Sequence, residues 1–182
     1  MHLSRGLGAI PALLGCAVAL AACGGGGDGL SRADTRYFRF SRPDAWPVQV
    51  TRPAHPSHAG EIIARALGTP GTRKQRPLVA VDAMPGWTIS LDALARAISL
   101  DDGVSYRGFR ELGRTRPRVP GAAGATLIKG EAPGRDGVLV RTFDLLALSR
   151  GHLAVHMVVQ VPKADLDKVP VQKILDSLQL RQ

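Results

Sequence analysis

ATLIKGEAPGRDGVLVRTFDLLALSRGHLAVHMVVQV, residues 125–161, decides the fold. It separates into three apolar runs rich in strand-forming residues, at 125–131, 138–148 and 153–161. Ala132-Pro133-Gly134-Arg135-Asp136-Gly137 divides the first two, and Ser149-Arg150-Gly151 divides the second from the third. Both dividers are turn chemistry, and long runs joined by turns so short pair with their chain neighbours. An antiparallel meander is expected, with 104–114 as a further long strand before it.

Helical and shorter strand signals flank this meander. Ser90 precedes Leu91, Leu94, Ala95 and Ile98, a helical stripe behind an N-cap residue, which Asp101-Asp102-Gly103 is expected to end. Val171, Ile174, Leu175 and Leu178 repeat at i, i+3, i+4 and i+7 within 163–180, which predicts an amphipathic terminal helix with Pro170 in its first turn. Nearer the start, 37–40 and 47–53 read as two short strands, with Ser41-Arg42-Pro43-Asp44 as a turn between them. Residues 61–67, with Ile62, Ile63, Ala66 and Leu67, have the spacing of one or two helical turns, and 78–81 reads as a buried strand.

The first 22 residues have the form of a secretory signal peptide: Arg5, an apolar run from Leu7 to Leu20, then small Ala21 and Ala22. The run is too short, and too broken by Gly8, Pro11 and Gly15, for a membrane span of roughly 20 apolar residues. Leu20-Ala21-Ala22-Cys23 resembles the lipobox of bacterial lipoproteins, which implies cleavage before Cys23 and acylation of its sulfur and new amine. Residues 23–36 then form a lipidated tether, Gly-rich from Gly24 to Gly29. Cys16 leaves with the leader, so Cys23 stands alone and no disulfide or cysteine metal site is expected. Residues 37–182 remain as a single domain, long enough to hold by its core without staples.

Tyr37-Phe38-Arg39-Phe40-Ser41-Arg42-Pro43-Asp44-Ala45-Trp46 is similar to the opening strand, proline and tryptophan of Mog1/PsbP-like domains. The meander, and Val171-Gln172-Lys173-Ile174-Leu175-Asp176-Ser177-Leu178, resemble that family's sheet and terminal helix. The resemblance spans 37–180. It implies an α+β domain, an antiparallel sheet flanked by helices as an α/β/α sandwich, and carries over no catalytic residue. The basic stretch 68–76 departs from the family pattern.

Several residues could in principle carry chemistry. His55 and His58 share a loop without a third metal ligand, and His152 and His156 are expected on one strand face roughly 13 Å apart, too far to share an ion. Ser105 lacks the spacing of a nucleophile elbow, Asp101 and Asp102 read as a turn pair, and no glycine-rich loop opens a helix after a strand. The net charge is +9, and Arg5 is the leader's only charged side chain, so the processed chain carries +8. Arg110, Arg114, Arg116 and Arg118 share strand parity, with Arg107 nearby, and are expected to form a basic stripe facing an anionic surface. The sequence thus points to a non-enzymatic envelope lipoprotein, without cofactor, metal or nucleic acid. It is expected to sit on the outer membrane's periplasmic face in a Gram-negative cell, binding or scaffolding an envelope protein or anionic surface. A small-ligand carrier or an enzyme with a hidden cleft is the alternative.

Overall fold

The computed structural model describes residues 29–51, 62–67, 76–134 and 137–181. The leader, Cys23, residues 24–28, the loop holding His55 and His58, and residues 68–75 lie outside them. The elements run β1 (Leu30–Asp34), β2 (Phe38–Pro43), β3 (Val48–Thr51), β4 (Ile62–Leu67), β5 (Leu78–Met84), α1 (Leu91–Ser105), β6 (Arg110–Thr115), β7 (Gly124–Pro133), β8 (Leu139–Leu148), β9 (Ala154–Pro162), α2 (Val171–Asp176) and β10 (Gln179–Leu180). A 3-10 turn, Lys163–Asp165, follows β9.

The meander forms as expected and grows into a seven-stranded antiparallel sheet ordered β3-β4-β5-β9-β8-β7-β6. A second, three-stranded sheet is ordered β1-β2-β10. The side-chain period of two sorts the large sheet into two faces. One face carries Val79, Val81, Leu127, Leu145, Val155, Met157 and Val159, which pack with Phe38 and Phe40 of the small sheet and with Ile174, Leu175 and Leu178 around α2. The other face places Ile128, Leu146 and Ala154 against Leu94 and Ala95 of α1. The result is an α+β sandwich: α1 on one side of the large sheet, and the small sheet with α2 on the other.

Five sequence expectations are corrected. Within the stretch expected as helical turns, Ile62–Leu67 form β4; a segment this short gains little as an isolated helix, while β3 and β5 offer it hydrogen bonds on both edges. The helix that Ser90 caps, through a 3.3 Å bond from the Ala93 amide to its Oγ, runs on through Asp101-Asp102-Gly103 to Ser105. Ser105 is accordingly helical, and the strand expected from residue 104 begins at Arg110. The terminal helix is only Val171–Asp176: Ser177 Oγ donates to Ile174 O at 2.6 Å and accepts from the Ser41 amide at 2.7 Å, turning the chain into β10 beside β2. Residues 30–34, expected in the tether, form β1 because their register with β2 places Ala33 opposite Phe40 in the core.

Candidate functional site

Beneath the C-terminal half of α1 the large sheet carries a row of polar side chains. Asp82, Thr142, Asp144, His156 and Gln160 share the α1 face of β5, β8 and β9, as the pairings Asp82↔His156, Leu146↔His156 and Thr142↔Gln160 require. Nε2 of His156 lies 3.0 Å from Oδ1 of Asp144, a carboxylate only 2% exposed. Gln160 donates to the Tyr106 hydroxyl at 2.9 Å, just past the end of α1. Asp102 comes down from α1 and is itself buried. Burial, then the charge of Asp144, pushes the Asp102 carboxyl up to about 7 against the opposing pull of His156.

This cluster concentrates ionisable groups where water is scarce. Asp144 Oδ2, Asp102 Oδ2 and Thr142 Oγ1 are buried without a hydrogen-bond partner among the described residues. No group of three or more His, Cys, Asp or Glu among those residues has an arrangement that would hold a metal ion. What the arrangement offers is one buried carboxyl, that of Asp102, which holds its proton up to about pH 7. His156 is legible in the sequence as a strand residue, but its partner Asp144, buried in the apolar run 138–148, and Asp102, which reads as a turn, are not. His152 does not lie on β9: it sits in the turn before it at φ 59°, with its Nδ1 3.2 Å from Trp87 O and its own carbonyl accepting the Trp87 amide at 2.7 Å.

The arginine stripe does not form. A β-bulge between Glu111 and Gly113 interrupts β6, so Arg110 pairs with Glu131 while Arg114 pairs with Ile128. Glu131 and Ile128 are three residues apart and face opposite sides, so Arg110 and Arg114 do too. Arg110 joins Arg141 and Lys163 around the buried carboxylate of Glu131, at 3.1, 2.9 and 3.2 Å. Burial alone would raise that carboxyl, but the bonds from Lys163, Arg141 and Arg110 outweigh it and hold it below the usual range. Arg114 instead bridges Glu111 at 2.9 Å and Ser99 of α1 at 3.0 Å, and Arg116 stands 3.5 Å from Asp92 in the first turn of α1. Bonding from Arg114 chiefly lowers the Glu111 pKa. Arg118 lines an open hollow of about 320 Å³ beside Arg116 and Val119, contiguous with one of about 370 Å³ bounded by Ser90 and Leu91.

No family model and no curated protein matches the chain. Solved structures do. The crystal structure of LpqN, involved in cell envelope biogenesis of Mycobacterium tuberculosis, aligns with a TM-score of 0.54 and 15% identity, over 86% of this chain and 87% of that one. The solution structure of cyanobacterial PsbP (CyanoP) from Synechocystis sp. PCC 6803 aligns with a TM-score of 0.57 and 16% identity, over 89% of this chain and 99% of that one. At such identities the likeness concerns the fold, and the fold is that of the PsbP-like and LpqN structures.

Proposed function

We propose that the protein is an extracytoplasmic cell-envelope lipoprotein, held to a membrane by lipid on Cys23, whose PsbP-like domain works as a non-enzymatic binding or scaffold module. The observation that carries this reading is the short step from lipobox to fold: six residues, Gly24 to Gly29, separate Cys23 from the first paired strand. A leader that ends on a lipidated cysteine directly before a folded domain suits a surface-held module. The part LpqN takes in cell envelope biogenesis supports the same setting for a shared fold. Among the described residues no helix is long and apolar enough to cross a membrane.

Intact-mass measurement on the full chain, expressed in a lipoprotein-processing bacterium and extracted from its membrane fraction, tests the anchor. The expected product begins at Cys23 and carries acyl mass, and Cys23→Ala abolishes processing. A mature amine elsewhere, or no acyl mass, overturns it. The two contiguous hollows near Arg116 support a second reading as a small-ligand carrier, at the low end of ligand-pocket volumes. Native mass spectrometry that finds a stoichiometric small molecule would favour that reading.

A further inference from the structure

The outward face of the small sheet holds arginines that strand parity in the sequence does not single out. In the β1–β2 register Phe38, Phe40 and Ala33 point into the core, so Arg32, Asp34 and Arg39 point out, with Gln179 of β10 opposite Arg39. Arg39 Nε donates to Gln179 Oε1 at 2.6 Å, and Arg181 reaches Asp34 from the end of β10. Arg36, in the β1–β2 turn, lies 5.2 Å over the Tyr37 ring. Arg32, Arg39 and Arg181 therefore share this side with one aspartate, Arg36 stands in the adjoining turn, and Arg32 and Arg36 are exposed. We propose that this face is the membrane-contacting surface of the domain and that it seats on anionic lipid headgroups. The inference rests on the lipid-anchor reading and says which way the anchored domain points.

Geometry and charge select the same face. Cys23 is seven residues before Leu30, so the start of β1 stays within about 25 Å of the lipid-bearing cysteine even with the chain fully extended. The sandwich is about 30 Å thick from the outside of the small sheet to the outside of α1, given layers spaced ~10 Å apart. By the same spacing β1 lies about 25 Å from the outside of α1, so only a fully stretched tether would bring α1 to the membrane. Any slacker tether leaves the β1–β2–β10 face nearest the headgroups. There, basic side chains act within a Debye length of about 8 Å at physiological salt. Arg114 and Arg116, both engaged with α1 and its acidic partners, lie on the far side.

The test uses the full chain purified from membranes and reconstituted into vesicles of phosphatidylcholine, alone or mixed two to one with phosphatidylglycerol. The readout is hydrogen exchange at residues 30–37, since β1 is an edge strand whose outer amides exchange readily when uncovered. Slowed exchange in the anionic vesicles, lost at high salt and in Arg32→Glu/Arg36→Glu but kept in Arg96→Glu/Arg107→Glu, is the expected result. Equal exchange in both vesicle types overturns the inference while leaving the anchor intact. If intact mass shows no acyl chain, the anchor reading fails instead. Cosedimentation of that same chain with the vesicles then reads the face alone: the Arg32→Glu/Arg36→Glu variant is expected to bind about 30-fold more weakly at low salt. No binding, or no difference between variants, overturns it.

Discussion

His156 on β9 and Asp144 on β8 meet across the sheet at 3.0 Å, Nε2 to Oδ1, under the C-terminal half of α1. They are diagonal neighbours in the ladder, since His156 lies directly opposite Leu146. The contact fixes the orientation of the imidazole and gives the Asp144 carboxylate a partner inside the fold. It also sets the electrostatic field into which Asp102 is lowered.

Removing the imidazole should therefore cost more than breaking a surface ion pair does. His156→Ala leaves the Asp144 carboxyl in the core without its hydrogen-bond partner, and an unsatisfied buried polar group costs roughly 1–3 kcal/mol. Because His156 is itself 17% exposed on its side chain, water can reach part of the site, and about 1–2 kcal/mol is expected here. Urea denaturation of His156→Ala, Asp144→Asn and the double variant measures it. The double variant should lose clearly less than the sum of the singles, and strict additivity would mean that the two side chains do not interact.

Asp102 makes a separate prediction about pH. Its folded pKa, about 7, lies above the ordinary aspartate value of 3.8, so the folded state holds a proton that the unfolded chain releases earlier. The stabilisation is fully present below about pH 4 and is lost as pH rises through about 7. Asp102→Asn cannot ionise, so its stability relative to the native protein should improve between pH 5 and pH 8. A gain of about 1–2 kcal/mol at the upper end is expected, after discounting for solvent screening of a partly solvated group. Denaturation at the two pH values checks this, and a difference independent of pH would remove Asp102 from the account. Glu131 has the opposite sign. Its lowered pKa stabilises the fold above the usual Glu range and fails in acid, so Glu131→Gln should blunt the acid-side loss.

Local chemistry and tertiary pairing divide what the sequence could carry. The meander is readable because its strands are long and its turns are rich in glycine and proline, and the Ser90 cap is readable because capping is local. Residues 61–67 read as helix because an isolated run of seven has no period long enough to separate helix from strand, and strands on both sides of 62–67 decide the matter. The arginine stripe fails for a similar reason. Parity predicts a shared face only in an uninterrupted strand, and the extra residue near Leu112 reverses it. Asp144 and Asp102 are hidden because they become partners only when α1 closes over β8.

The packing of α2 gives a direct stability test. Leu175 is 4% exposed among the residues under the small sheet, and truncating a core leucine to alanine costs roughly 2–5 kcal/mol. Gln179, expected to be a silent helix residue, is instead in β10 and accepts the Arg39 Nε bond. Gln179→Ala should cost about 0.5–1.5 kcal/mol, the net worth of one hydrogen bond. Thermal melts of both variants should show the larger fall for Leu175→Ala, and equal small shifts would mean that α2 contributes little to the core.

The sharpest stereochemical prediction falls at Gly121, in the turn that leads into β7. Its φ is +80°, a left-handed conformation that residues with a Cβ adopt only with strain. A Cβ there would lie 2.4 Å from the Leu180 carbonyl oxygen, whose own residue donates its amide to Pro120 O at 2.9 Å. The obstacle is backbone, so a rotamer change cannot relieve it; either the turn shifts or β10 moves away from β2. Gly121→Ala should therefore destabilise by about 2–4 kcal/mol, combining backbone strain with the lost contact. Gly137, also at positive φ, would have nothing within 4 Å of an added Cβ, so Gly137→Ala meets the strain alone and should cost about 1–2 kcal/mol. Denaturant melts of the pair separate the two contributions. If Gly137→Ala costs as much as Gly121→Ala, the close approach of Leu180 is not what holds the glycine in place.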